Sequence, residues 1–146
     1  MDRLWIVLIG GLLPAFCFGI SAIFTKGALQ AGMGAGTALA FNGIVMAAGG
    51  LVLRQLLGES GWGGGQAIGL ALTADLLFVI ASGAINVALV RFAAPISLVA
   101  PITVISSLVT VIAGFIVFRE YEGVRASQLL GGAVLVVVGA ALVATS

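Results

Sequence analysis

Residues 67–90 read AIGLALTADLLFVIASGAINVALV, and the one charged side chain in this stretch is Asp75. The hydrocarbon core of a bilayer is about 30 Å thick, and a helix of about 20 apolar residues crosses it. The strands of a membrane β-barrel alternate polar and apolar residues in shorter pieces, whereas this stretch is continuously apolar. The sequence therefore predicts a transmembrane helix here.

Four more stretches of the same kind lie on either side of it. The predicted spans are 4–25, 35–53, 67–90, 96–118 and 127–143. Glycines or charged residues separate most of them, and Ala93-Ala94-Pro95 separates the third from the fourth. The first apolar run continues through Phe24 without a charge, so we read it as a retained helix rather than a cleaved signal peptide. We predict an all-α polytopic membrane protein with five transmembrane helices in a single domain, residues 1–146.

The composition agrees with a membrane protein and excludes several functions. Of the 146 residues, 62% are hydrophobic and 8% are charged, and the mean hydropathy is +1.31. Soluble domains are about 25% charged. A net charge of +1 on scattered basic residues argues against nucleic-acid binding. The chain has no histidine, the commonest metal ligand and acid–base group near neutral pH. We expect no metal, no cofactor and no enzymatic activity.

The basic residues give the orientation. Five spans place the two termini on opposite sides of the membrane. The basic residues divide four to two between these sides. On the N-terminal side lie Arg3, Arg54, Arg119 and Arg125, and on the other side lie Lys26 and Arg91. The positive-inside rule then predicts a cytoplasmic N-terminus. So small a bias also fits insertion in both orientations, and the charge count leaves both readings open. The predicted location is the inner (plasma) membrane of the cell.

Polar side chains recur at helical spacing in four of the spans. Residues three, four or seven apart lie on one face of a helix, and four such faces turned inward would enclose a polar pathway. The residues predicted to line it are Ser21, Asn42, Asp75, Asn86, Thr103 and Ser106. The alternative for the serines and threonines is that their hydroxyl groups bond to carbonyls of their own helix or to a neighbouring helix.

Asp75 is the strongest single candidate. A carboxylate within a membrane span costs several kcal/mol and marks a functional site by default. A proton-coupled carrier requires a carboxyl group within the membrane that takes up and releases a proton. Asp75 is therefore the predicted coupling residue. The alternative is that it lies near enough to the interface to stay hydrated.

Proline and basic residues mark further features of the spans. Pro14 and Pro101 lie inside predicted spans and are expected to kink them. Lys26 and Arg91 end their spans on the same side. They either snorkel to the lipid headgroups or attract an anionic substrate.

The fifth span has small residues where the others have polar ones. Gly132 and Gly139 lie one heptad apart on the same face, and small residues allow helix backbones to approach closely in lipid. We predict a helix used for packing or dimerisation. The alternative is that this face contacts lipid.

The order of motifs in the last third resembles a known repeat. Residues 88–104 read ALVRFAAPISLVAPITV, followed by Phe118-Arg119-Glu120 and then by QLLGGA at 128–133. With Phe18-Gly19 and Lys26 in the first helix, this order resembles the repeat unit of the EamA group in the drug/metabolite transporter superfamily. The resemblance covers most of the chain.

The resemblance implies five helices per repeat. Most members carry two inverted repeats in one chain, and this chain holds one. It implies an antiparallel homodimer, or pairing with a similar half-size subunit. The chain departs from the family at Asn42, where many members have arginine. It also has no acid in the first helix, where the small multidrug resistance relatives carry an essential glutamate.

These observations predict a membrane transporter of small metabolites or drug-like solutes. It would work as a dimer by alternating access, with proton coupling as an option. The alternatives are a non-transporting membrane subunit that assembles with or modifies a larger complex, and a channel. The sequence specifies neither the substrate, nor the coupling ion, nor the direction of transport.

Overall fold

The computed structural model describes Trp5, residues 7–118 and residues 126–145. Its α-helices are α1 (Leu13–Gln30), α2 (Ala35–Leu56), α3 (Gly65–Arg91), α4 (Ile96–Thr103), α5 (Ile105–Val117) and α6 (Ala126–Ala144), and a π-helical turn, Leu8–Leu12, leads into α1. These ranges contain no strand, which confirms the all-α prediction.

Four helical stretches are long and apolar enough to cross a membrane: Leu8–Gln30, Ala35–Leu56, Gly65–Arg91 and Ile96–Val117. They correspond to the first four predicted spans. The apolar part of α6, Ser127–Val143, is shorter than these four, so the fifth span stays a prediction. The charged break predicted at 119–125 lies outside the described residues.

The first helix is longer than predicted, because a helix ends where its hydrogen bonds end rather than at its first charge. At the end of α1 the Gly32 N–H donates to Leu29 O and the Met33 N–H donates to Ala28 O, both at 3.1 Å. This is a Schellman cap, and Gly32 has the positive φ (+99°) that the cap needs. The predicted end at residue 25 is therefore too early, and Lys26 lies inside α1.

The π-helical turn precedes the first internal proline. The Leu13 N–H bonds to Leu8 O, five residues back, and Pro14 follows as the second residue of α1. In a regular α-helix the ring of Pro14 would clash with the carbonyl of Gly10. Gly10 lies within the wider π-helical turn, so the helix geometry at its carbonyl differs from that of a regular α-helix.

The fourth stretch, which contains the second internal proline, Pro101, is interrupted at Val104. α4 ends at Thr103, Val104 forms a turn, and α5 begins at Ile105. Two bonds at the break, Val104 N–H to Pro101 O at 3.2 Å and Ser107 N–H to Val104 O at 2.9 Å, join residues three apart. The predicted span is thus divided into two helical pieces at Val104, three residues after Pro101, which itself lies inside α4.

The chain divides into two compact units, Met1–Ala94 and Pro95–Ser146. In the first unit α1, α2 and α3 contact one another. Its buried side chains are Leu29, Ala38, Asn86 and Leu89, all near the end where α1 joins α2 and α3 terminates. Residues 40–53 of α2 and 65–81 of α3 are exposed. Packing within this unit is therefore concentrated at one end.

In the second unit α4 and α5 both contact α6. The side chains that α6 buries here are Ala133 and Ala140, seven residues apart. The neighbouring Gly132 and Gly139 are exposed, and a Cβ atom added at either would meet nothing within 4 Å. Packing among the described residues of this unit therefore uses the alanine face of α6.

The packed end of the first unit should tolerate no added volume. Ala38→Leu places three extra carbon atoms where Ala38 is 5% exposed, so we expect a loss of about 1–3 kcal/mol of unfolding free energy. Ala40→Leu makes the same change at an exposed position of the same helix and serves as the control. Thermal unfolding in detergent measures both, and equal shifts in the two variants would contradict this packing.

Candidate functional site

Asn86 is buried in the packed end of the first unit. Its side chain is 3% exposed, and its Nδ2 donates a long hydrogen bond of 3.5 Å to the carbonyl oxygen of Ala35, the first residue of α2. Three residues earlier, a Cβ added to Gly83 would lie 3.7 Å from Leu39 Cδ2, which is ordinary van der Waals contact. Asn86 therefore joins α3 to α2 as a buried polar contact.

Asp75 lies on the same face of α3 but is exposed. Eleven residues separate it from Asn86, which at 3.6 residues per turn places the two side chains within about 20° of each other. The neighbouring helices bury the side chain of Asn86 but do not bury that of Asp75. Asp75 is thus exposed on the face that turns towards the other helices, not on the opposite face.

The bounds of α3 place Asp75 deep within the helix. α3 has 27 residues, and Asp75 comes ten residues after Gly65, or about 15 Å at 1.5 Å per residue. A hydrocarbon core of about 30 Å centred on α3 would place Asp75 about 10 Å inside its boundary. The functional reading of Asp75 requires such a depth, and the role of Asp75 stays a prediction.

Asn42 of α2 is close to the level of Asp75. It follows the buried Ala38 by four residues, so the two share a face, and Asn42 is exposed. Extending the antiparallel pairing of Ala35 with Asn86 places Asn42 about 6 Å from Asp75 along the helix axis. Asn42 and Asp75 are thus exposed polar side chains at nearby levels, and the buried Asn86 lies at the packed end of the same unit.

The remaining predicted pathway residues are placed differently. Ser21 lies on α1 of the first unit and is exposed. Thr103 and Ser106 belong to the second unit, on either side of the break between α4 and α5. Ser21, Ser106 and Asp75 make no side-chain hydrogen bond to other residues that the structure describes.

The threonine hydroxyl groups follow the alternative given by the sequence. Thr103 Oγ1 donates to Ala100 O at 2.7 Å, and Thr110 Oγ1 donates to Ser106 O at 3.0 Å. Both bonds return to the threonine's own helical segment. The hydroxyl hydrogen of Thr103 is therefore already used, and what this residue can offer a solute is its oxygen as an acceptor.

Sequence reasoning missed a cleft of about 240 Å³ in the first unit. Lys26 is half-buried beside it, and the ends of α1 and α3 supply the rest of the lining: Leu29, Gln30, Leu89, Val90, Ala93 and Ala94. Ala93 has a positive φ of 49°, where glycine is usual, and the Ala94 N–H donates to Ala88 O at 3.2 Å. Lys26 thus lies in a cleft that offers both a cation and apolar surface. The Ala-Ala-Pro sequence was the available signal for this turn.

Comparison with known proteins identifies no relative. A scan against protein-family models, a search of curated proteins and a search of solved structures find no match to this chain.

The two asparagines of the first unit should differ in their effect on stability. Asn86→Ala removes a buried amide and its bond to Ala35 O, so we expect a loss of about 1–2 kcal/mol of unfolding free energy. Asn42→Ala removes the same atoms from an exposed position and should change it by less than about 0.5 kcal/mol. Thermal unfolding of both variants in one detergent makes the comparison. A larger loss for Asn42→Ala would mean that the packed end is assigned to the wrong half of the unit.

Proposed function

We propose that this chain is the subunit of a membrane transporter for small metabolites or drug-like solutes. In this proposal each subunit crosses the plasma membrane five times, and two subunits work together by alternating access. The observation that carries the proposal is the position of Asp75, exposed deep within α3 on the face shared with the buried Asn86.

A carboxylate at this depth needs a polar environment. Contact with lipid at mid-membrane would cost several kcal/mol, and the packing of the first unit leaves Asp75 uncovered. Water or protein beyond this unit must therefore solvate it. Asn42 at a nearby level adds an amide that can donate and accept hydrogen bonds. A polar cavity near the membrane midplane is typical of solute carriers.

The length of α6 supports a fifth span. Its 19 residues extend about 28 Å, close to the thickness of the hydrocarbon core. An odd number of spans places the termini on opposite sides, and a second copy inserted the other way would supply the inverted repeat found in many transporters. The sequence resemblance to the EamA group supports the same arrangement.

The exposed glycines of α6 supply a contact for that second copy. The midpoint of α6 (Ala126–Ala144) is residue 135, so Gly132 and Gly139 lie at nearly equal distances on either side of it. In an antiparallel pair of these helices, Gly132 of one copy is level with Gly139 of the other. A Cβ added at either glycine would meet no described residue within 4 Å, which leaves room for a close approach of backbones.

Neutralising Asp75 should abolish transport driven by a pH gradient. Asp75→Asn keeps the size and hydrogen-bonding capacity of the side chain but cannot exchange a proton. We expect liposomes with the purified variant to lose pH-driven solute uptake, while Asp2→Asn, which removes a carboxylate outside the predicted spans, retains it. Unchanged uptake in Asp75→Asn would remove Asp75 from proton coupling.

The same liposomes help to distinguish a carrier from a channel and from a non-transporting subunit. Flux that saturates with solute concentration indicates a carrier, whereas single-channel conductance across a planar bilayer would indicate a channel. Absence of both, for a panel of solutes and with folding confirmed by circular dichroism, would favour a non-transporting subunit.

Cysteine cross-linking tests the antiparallel pairing of α6. In a Cys17→Ser background, membranes containing a mixture of Gly132→Cys and Gly139→Cys chains should form a disulfide-linked dimer of the two different variants, because only those positions are level. Ala133→Cys mixed with Ala140→Cys is the control, since both positions are buried within the chain. Dimers formed by each glycine variant alone, with none between the two, would indicate a parallel pair instead.

A further inference from the structure

The loop after α2 folds back over the end of its own helix. The Gly58 N–H donates to Gln55 O at 3.2 Å and the Glu59 N–H donates to Arg54 O at 3.1 Å, which forms a Schellman cap. Gly58 has the positive φ of 66° that this cap requires, and a second positive φ, 81° at Gly63, turns the chain into α3. The loop is therefore held by backbone bonds at a predicted membrane boundary.

Arg54 is fixed on two sides by this loop. Its Nε donates to Glu59 O at 3.3 Å, and its guanidinium carbon lies 3.8 Å from the centre of the Trp62 ring. The first contact is a hydrogen bond and the second is a cation–π interaction. Its two Nη groups make no hydrogen bond to other residues that the structure describes. A positioned guanidinium with free donors is suited to a phosphate group.

An open cleft of about 660 Å³ lies beside this guanidinium. Its lining joins an apolar strip of α2 to the polar loop: Ala47, Gly50, Leu51 and Arg54 from the helix, Glu59, Gly61, Trp62 and Gly63 from the loop. The strip residues are spaced at three and four, so they lie along one face of α2. We call this surface the Arg54 cleft.

The Arg54 cleft carries one positive and one negative charge that do not form an ion pair with each other. The Glu59 carboxylate lines the cleft together with Arg54, yet no ion pair within 4.0 Å joins side chains in the described part of the chain. An anionic ligand would satisfy Arg54 and be repelled by Glu59. A ligand with a phosphate and an ammonium group would satisfy both.

We propose that the Arg54 cleft binds one phospholipid with an ethanolamine headgroup. The phosphate accepts hydrogen bonds from the Nη groups of Arg54, and the ammonium group, two carbon atoms beyond the ester oxygen, donates to the Glu59 carboxylate. An acyl chain lies along Ala47, Gly50 and Leu51. Trp62, 72% exposed, takes the interfacial position that tryptophan favours in membranes.

The charge pattern makes the site selective among lipids. A choline headgroup has the same charges, but its nitrogen carries three methyl groups and no N–H to donate. A glycerol headgroup has the phosphate charge alone and leaves Glu59 without a cation. The ethanolamine lipid is therefore expected to bind more tightly than either. This proposal does not depend on transport activity.

Native mass spectrometry of the detergent-purified protein tests the site. Phosphatidylethanolamine, phosphatidylcholine and phosphatidylglycerol are added in equal amounts. We expect the ethanolamine lipid to be retained about fivefold more than the glycerol lipid, the factor given by one exposed ion pair. It should also be retained more than the choline lipid, which has no N–H to donate to Glu59. Glu59→Gln should remove this preference while phosphatidylglycerol still binds. Arg54→Gln should lose both lipids. Arg3→Gln, which removes a basic residue that precedes the first predicted span, should behave as the original chain.

Two results would overturn the proposal. One is a Glu59→Gln variant with an unchanged ratio of ethanolamine to glycerol lipid. The other is an Arg54→Gln variant that is folded by circular dichroism and retains lipid as well as Arg3→Gln does. Either would mean that lipid adheres to the apolar surface without recognition of its headgroup.

A measurement in vesicles does not depend on the detergent. Trp5→Phe leaves Trp62 as the one tryptophan of the chain. Phosphatidylethanolamine with brominated acyl chains should then quench its fluorescence more than the equivalent phosphatidylcholine, and Arg54→Gln should abolish the difference. Equal quenching by the two lipids before that substitution would contradict a headgroup-selective site.

Discussion

Lipid offers a peptide backbone no hydrogen-bond partner, and this constraint governs most of the structure. Each long apolar stretch satisfies its own N–H and C=O groups by forming a helix. Two of these helices, α1 and α2, end at Schellman caps with Gly32 and Gly58 at the positive-φ position. The break between α4 and α5 keeps its backbone bonded through contacts between residues three apart. The apolar side chains need no thick core, because lipid can cover them.

The small core follows from the same constraint. The buried apolar side chains of the described residues are Leu29, Ala38, Leu89, Ala133 and Ala140, while large residues such as Phe16, Phe24 and Leu56 are well exposed. A water-soluble protein could not leave such side chains exposed in this number. Where the helices do pack, the buried side chains are three alanines, two leucines and one asparagine. Specific packing among the described residues thus depends on few side chains, and Asn42 and Asp75 lie outside it.

The sequence predicted the helices better than it predicted which of their residues are buried. Continuous apolar runs identify the first four spans, since length and hydropathy alone decide whether a helix can cross a bilayer. The end of α1 was placed too early because Lys26 was read as a boundary. Periodicity placed Asp75 and Asn86 on one face of α3, but it could not show that one is covered and the other is open. That difference depends on where α2 stops packing against α3, which is a tertiary property.

The packing of α6 shows a similar limit. The heptad spacing of Gly132 and Gly139 was visible in the sequence, yet Ala133 and Ala140 have the same spacing, and they are the residues buried within the chain. Spacing alone does not distinguish a face used inside a subunit from a face left for a partner. The Arg54 cleft was not visible in the sequence, because it depends on the loop folding back to bring Trp62 against Arg54.

We propose that five helices cross the membrane in a subunit that pairs with an inverted copy. The most direct test is the sidedness of both termini in cells, with a tag at each end and an impermeant probe. We expect the two tags to lie on opposite sides in every molecule and the two orientations to occur in comparable amounts. Both tags on one side would contradict the fifth span, and a single orientation for all molecules would contradict the antiparallel homodimer.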